Sequence, residues 1–216
     1  MNQLFTNFRY NQLMNPKKSF LDFLNKFIPL SQDEYDELIL PCIVKRRFGK
    51  KEIVTHAGEV EEYINFVDQG LARKYYKRGN EEINTQISHE GHIIHSQESF
   101  HSRMPSEYTI ETIEPCELTS MTFECLEGIY SSSEKMQQLG RLVITTTMVL
   151  KDKWQSQLVK LTPRERFILF VTKHPELMQR VPQKYLASYL NIKPETFSRF
   201  KHMVKEHSKK ILIHQN

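Results

Sequence analysis

All seven glycines of the chain lie at or before Gly140, and none follows. Glycine supplies the positive-φ positions that hairpins and tight turns require. The distribution therefore predicts turn-rich β structure first and helix afterwards, with a change of fold class near residue 130. At 216 residues the chain holds one large domain or two small ones, and it can bury a core without disulfide staples. Its three cysteines, Cys42, Cys116 and Cys125, are scattered. They exclude a disulfide framework and a CxxC zinc site, and they fit a reducing, cytoplasmic setting. Hydrophobic residues at 39% and charged residues at 26% describe a soluble globular chain. No apolar run approaches the ~20 residues that span a bilayer. The N-terminal stretch lacks the basic-then-apolar order of a secretory signal, so no membrane association is expected.

From Cys42 to Phe123 the pattern is one of short strands. IVKRRF, KEIVTHA, EYINFVDQG, LARKYYKRG, NEEINTQIS and EYTIETIE each have strand length, and β-branched and aromatic residues are frequent in them. Gly58, Gly70 and the pair Gly79-Asn80 fall between the runs, where turns are needed. Such regular turn signals predict a barrel or sandwich. Ahead of the strands, residues 19–27 read as a short amphipathic helix through Phe20, Leu21, Phe23, Leu24 and Phe27. Ser31, followed by Asp33 and Glu34, opens a second helix.

Residues 133–158 change period. Met136, Leu139, Val143, Thr146 or Thr147, Leu150, Trp154 and Leu158 recur at three- and four-residue steps without a proline. They predict one long helix whose stripe packs either on the chain's own β domain or, as a helix this long would overhang a small barrel, on a partner helix in a dimer. A new unit then begins at LTPRERF. Thr162 caps, Pro163 suits the first helical position, and Glu165 completes a capping box. His174-Pro175 and Val181-Pro182 mark the next breaks.

Residues 160–216 carry 12 basic and 4 acidic residues, a net +8, against −4 for residues 1–159. A basic segment on an acidic body suggests a polyanionic partner. Within it, a short helix from Gln183, an interruption at Asn191 and a second helix from Pro194 to about Lys205 have helix-turn-helix spacing. Leu186, Leu190, Ile192, Phe197 and Phe200 are apolar where the helices would face each other, and Ala187 is small where they would cross. Asparagine tolerates the left-handed conformation that the turn needs. The polar face offers Glu195, Thr196, Ser198, Arg199 and His202 for base edges, since arginine bonds guanine bidentately and glutamate accepts from cytosine N4. Lys184, Lys193, Lys201 and Lys205 suit phosphates.

On these residues the chain resembles a Crp/Fnr-family transcriptional regulator. His56-Ala57-Gly58-Glu59 and Val67-Asp68-Gln69-Gly70 resemble the family's β-roll turns. Glu195-Thr196-Phe197-Ser198-Arg199 resembles its E-T-x-S-R recognition helix. The resemblance implies an α+β fold with an N-terminal β-roll of the double-stranded β-helix (jelly-roll) type, a long dimerisation helix and a C-terminal winged-helix-like helix-turn-helix. It implies a sensor domain over residues 1–130, the dimerisation helix over 131–159 and the DNA-binding domain over 160–216. It further implies a homodimer on a palindromic site in double-stranded DNA, with RNA polymerase as a partner, and no enzymatic activity. Glu195 and Arg199 would read bases, Ser198 would assist, and Thr196 would hold a phosphate. Pro194 replaces a basic residue of some relatives. Only HSKKILIHQN remains for a wing, which allows a short strand at most.

Relatives that bind cyclic AMP hold the ribose with a glutamate after glycine and the cyclic phosphate with an Arg-Ser pair. In the matching stretch, aligned back from Cys116-Glu117-Leu118, those positions fall on Ser106 and Glu107. The glycine-glutamate pair is also absent, with Ser96 or Glu98 near its place, and Arg103 is the nearest substitute arginine. A cyclic nucleotide is therefore not expected as cofactor, and no other effector is assigned. His89, His92, His95 and His101 cluster here and read as a polar surface loop rather than a metal site, because three-residue steps do not share a strand face. Three cysteines do not supply an iron–sulfur cluster. Two other readings are a cupin-like metalloenzyme, disfavoured by the lack of an H-x-H pair, and a ligand-sensing interaction module with a vestigial helix-turn-helix.

Overall fold

The computed structural model describes residues 19–213, with side chains through residue 203. The N-terminal stretch examined for a signal and the last three residues of the possible wing lie outside the described residues. The chain divides into two compact units. Residues 19–77 and Thr85–Thr146 form the first, and Arg78–Asn84 with residues 147–213 form the second.

In the first unit, α1 (Phe20–Leu24) begins at Ser19, whose hydroxyl accepts from the Asp22 N–H while the Asp22 carboxylate accepts from the Ser19 N–H. This reciprocal box satisfies two N–H groups that a helix start otherwise leaves open. α2 (Gln32–Glu34) starts the same way at Ser31 with Glu34. It passes into a π turn over Tyr35–Ile39 and a 3-10 turn over Leu40–Cys42. Pro41, which has no N–H to donate, closes the stretch.

Eight strands follow: β1 (Val44–Phe48), β2 (Ile53–Thr55), β3 (Tyr63–Gln69), β4 (Leu71–Arg78), β5 (Glu81–His89), β6 (Ile93–Ile94), β7 (Thr109–Thr112) and β8 (Cys116–Thr122). They form two antiparallel sheets, ordered β1-β8-β3-β6 and β2-β7-β4-β5. The alternation of a strand decides what each face meets. Val67, Ile94, Cys116 and Leu118 of one sheet pack with Ala72 and Ile110 of the other. One residue out of step, Phe66 and Met121 join Phe23, Leu24, Leu30 and Ile39 in a second cluster. β3 and β8 of the first sheet are thus buried on both faces, which explains their apolar density, whereas β1 (VKRRF) is mostly exposed. Gly70 turns β3 into β4 at φ +98°, and a Cβ there would stand 2.2 Å from the Pro115 carbonyl oxygen. Only glycine fits that position.

Three elements were not legible in the strand pattern. β6 is two residues long. α3 (Gln97–Ser102) sits where a surface loop was expected and ends at Arg103, φ +59°. α4 (Phe123–Ser132) precedes the long helix, with Thr122 as its cap. Ser133 is extended, so the chain breaks before α5 (Glu134–Lys160). Met136 and Leu139 of α5 are buried in the second cluster and Val143 packs against it. The first part of the expected stripe therefore covers the chain's own core. Met148 and Val149 are exposed at 59% and 40%.

The second unit takes α5 from Thr147 onward, then α6 (Pro163–Lys173), α7 (Leu177–Arg180), α8 (Gln183–Tyr189) and α9 (Pro194–Ile213). Thr162 and Glu165 form the expected capping box on α6. The tip of the β4–β5 hairpin belongs to this unit: the Asn84 N–H donates to the Ser188 hydroxyl (2.9 Å), which donates to the Glu82 carbonyl (3.1 Å). α9 outruns its expected end near Lys205, and no strand follows it among the described residues. No glycine or proline lies beyond Pro194 to stop the helix, so the short wing strand considered for this stretch gives way to continued helix.

Candidate functional site

The helix-turn-helix is built from α8 and α9. At the end of α8 the Ile192 N–H donates to the Ala187 carbonyl (2.9 Å) and the Asn191 N–H to the Ser188 carbonyl (3.0 Å). This double closure needs a left-handed residue, supplied by Asn191 at φ +51°, as the sequence predicted. Pro194 then opens α9 at the first helical position. Leu186, Ala187, Leu190, Ile192, Phe197 and Phe200 are all buried. Phe167 of α6 meets the edge of Phe197 at 5.1 Å between ring centroids and tilts against Phe200 at 5.6 Å. α9 is therefore fixed along its apolar side, and its other side is left to solvent.

On that other side Glu195, Arg199 and His202 are exposed, and Ser198 is half-buried beside them. Their spacing of three, four and seven residues puts them on one helix face. Thr196 is half-buried, Lys184 and Lys193 are exposed, and Lys201 is half-buried. The Lys184 ammonium lies 5.0 Å from the Tyr185 ring, and the Arg199 guanidinium 5.9 Å from the Phe200 ring. Rigid backing with free, mixed donors and acceptors suits a helix that reads base edges. The side chain of Lys205, the fourth phosphate candidate, lies outside the described residues.

The β-roll stretch that would hold a cyclic nucleotide is closed by its own side chains. Glu61 is 1% exposed. Its carboxylate accepts from the Ser96 N–H (3.0 Å), the Thr55 hydroxyl (3.0 Å) and the Tyr63 N–H (3.4 Å). Burial raises its pKa, and these hydrogen bonds oppose that rise. The Arg103 Nη2 donates to both carboxylate oxygens of Glu62 at 2.8 Å, and its Nη1 donates to the Glu61 carbonyl at 2.9 Å. The Ser106 hydroxyl turns back onto Tyr108, and its backbone pairs with Gly58 and Glu59 of the His56–Glu59 turn. Glu98 and Glu107 are exposed. A ribose phosphate needs an available arginine and open N–H groups. Here the arginine is bonded to a carboxylate and the Ser96 N–H to another, so these residues do not fit that ligand.

The histidine stretch is not the polar surface loop expected. His89 and His95 are buried, and His101 is exposed. The His89 and His92 rings meet edge to face at 4.1 Å. Burial, reinforced by the charge of Lys74 and then by His101, pushes the His95 pKa down to about 3. Short β6 and the α3 turn draw these side chains inward, a geometry that period-two alternation does not anticipate. Cys42 is half-buried, and desolvation with the neighbouring Cys125 thiol raises its pKa to about 11.

Residues 45–133 match the family model of the cyclic nucleotide-binding domain. No curated protein is similar to the chain in sequence. Solved structures share the fold at low identity. The c-di-GMP-responsive global regulator CLP of Xanthomonas campestris matches at 16% identity and TM-score 0.63, over 82% of this chain and 93% of that one. FixK2 of Bradyrhizobium japonicum matches at 16% and 0.64, over 77% and 86%. The catabolite activator protein of Thermus thermophilus matches at 16% and 0.53, over 86% and 88%. No described helix is long and apolar enough to cross a membrane. Residues 45–133 are thus similar to the cyclic nucleotide-binding domain, and the chain shares its fold with these solved structures.

Proposed function

We propose that the chain is a dimeric, sequence-specific DNA-binding transcription regulator that needs no cyclic nucleotide. The observation that carries this reading is the face of α9: Glu195, Arg199 and His202 are exposed while Phe197 and Phe200 are buried beneath them. Glu195 and Arg199 read base edges, Ser198 assists, and Thr196 with Lys184, Lys193 and Lys201 contacts phosphates. Residues 1–130 act as the sensor, 131–159 as the dimerisation helix and 160–216 as the DNA-binding domain. Exposed Met148 and Val149 on α5 favour a partner helix, which would set two recognition helices about 34 Å apart on a palindromic site. RNA polymerase is the partner such a regulator acts upon, in the cytoplasm.

The test is selection of bound sequences from a random duplex pool by the purified full chain without added ligand. Recovery of an inverted repeat with half-sites one helical turn apart supports the reading. Recovery of no preferred sequence, without and with cyclic nucleotides, counts against it and favours the interaction module with a vestigial helix-turn-helix.

A further inference from the structure

The end of the long helix and the turn of the helix-turn-helix meet on one side chain. Arg166, in the first turn of α6, is 7% exposed. Its Nη1 donates to the carbonyls of Leu158 (2.9 Å) and Leu161 (2.8 Å) at the end of α5. Its Nε donates to the Leu190 carbonyl (2.9 Å) and its Nη2 to the Asn191 carbonyl (2.9 Å), both in the turn between α8 and α9. Helix ends leave carbonyls without intrahelical partners, and they carry partial negative charge. One cation here serves two such ends at once. Only guanidinium has enough donors, in a planar fork, to reach four carbonyls; an ammonium has three donors around a point. A second contact spans the same two pieces: Trp154 of α5 stacks on Tyr189 of α8, with centroids 4.4 Å apart and planes 9° from parallel.

We infer that Arg166 is a positioning residue that fixes the direction in which α9 leaves the end of α5, and so sets the spacing between half-sites that the regulator accepts. The inference rests on the dimeric DNA-binding reading above. Arg166 touches no base in this scheme. It acts through the backbone that carries Glu195 and Arg199. Loss of the fork removes four hydrogen bonds between the two pieces and leaves the stack and the ring packing of Phe167 on α9, which permits more than one angle between them.

The test uses the full chain as wild type, Arg166→Lys and Arg166→Met. Affinity is measured on the selected operator and on operators whose half-site spacing is lengthened or shortened. Wild type should discriminate sharply among spacings. Arg166→Lys should bind the best spacing about tenfold more weakly and lose most of the discrimination, because distorted spacings no longer meet a fixed angle. Trp154 is the only tryptophan, and its emission should change in both variants as the stack on Tyr189 loosens. A uniform loss across all spacings with wild-type emission overturns the inference. So does loss of the helical far-UV spectrum in Arg166→Lys, which would make Arg166 a stability residue. If wild type itself selects no DNA, the DNA-binding reading fails, and the emission of the variants still decides whether Arg166 holds the two pieces together.

Discussion

The Tyr130 ring lies against Gly140 so closely that a Cβ on Gly140 would stand 2.3 Å from the ring Cε1. Helix propensity alone favours alanine over glycine by about 1 kcal/mol. Here the ring occupies the space, so Gly140→Ala should destabilise the chain by about 1–2 kcal/mol as the ring is forced from its seat. With Tyr130 also truncated to alanine, the same glycine substitution should become neutral or stabilising. Urea denaturation of the single and double variants measures this change of sign, and equal effects in both backgrounds would refute the contact.

Burial and the charge of Lys74 keep His95 neutral down to about 3. Its Nε2 is buried with no hydrogen-bond partner among the described residues. In the unfolded chain the same group takes a proton near its ordinary value of about 6.5. Between these values the unfolded state holds more protons, so stability is fully present above about 6.5 and falls as pH drops toward about 3. Glu34 and Glu165, whose pKa values are lowered by hydrogen bonds from Lys135 and Ser31 and from Thr162, act in the same direction only below the ordinary carboxylate range. Denaturation between about pH 7 and about pH 5 should therefore show a decline that His95→Leu flattens. His101, exposed as a residue but partly desolvated at its ring, is also shifted down and leaves a smaller residual slope. A decline unaltered in that variant would assign the effect elsewhere.

The second unit was legible because its local signals agree. Thr162, Pro163, Glu165, Asn191 and Pro194 each specify one backbone state, and the apolar spacing from Leu186 to Phe200 specifies one packing face. The β-roll stretch matching the nucleotide grip was legible only as an absence: Ser106 and Glu107 stand where a phosphate grip would be. Its closure by Glu61 was not, since a carboxylate 35 residues from Ser96 gives no local pattern. The role of Gly140 was hidden for a related reason: it lies within the helix that the period predicts, and the ring it makes room for is brought by tertiary packing. Arg166 carried a signal that went unread: an arginine falls beside Phe167 and one turn before Phe170, on the buried side of α6.

Among the described residues Glu61 meets three donors and no acceptor at its carboxylate. Glu61→Gln turns an amide NH2 toward one of them, and it should cost about 1–3 kcal/mol through an unsatisfied buried donor. Amide hydrogen exchange in residues 96–106 should quicken in that variant, since Ser96 loses the acceptor that anchors the start of α3. Calorimetric titration of wild type with cyclic AMP and cyclic GMP should give no binding heat. Saturable binding would mean that Glu61 and Arg103 are released from their present partners and would overturn the closed reading of this β-roll stretch.

Arg199 stands exposed one turn beyond Glu195 on α9, backed by Phe200. Phe200 in turn packs on Phe167, so the guanidinium projects from a helix that does not yield. Arg199→Ala should cost about 1–3 kcal/mol on the selected operator and relax one base position in each half-site. Lys184→Ala and Lys193→Ala should instead weaken binding alike on all sequences, and each should lower the salt dependence by roughly one counterion. Competition binding at several salt concentrations separates the two patterns. If Arg199→Ala weakens random and selected DNA equally, Arg199 is a phosphate contact, and base reading then rests on Glu195, Ser198 and His202.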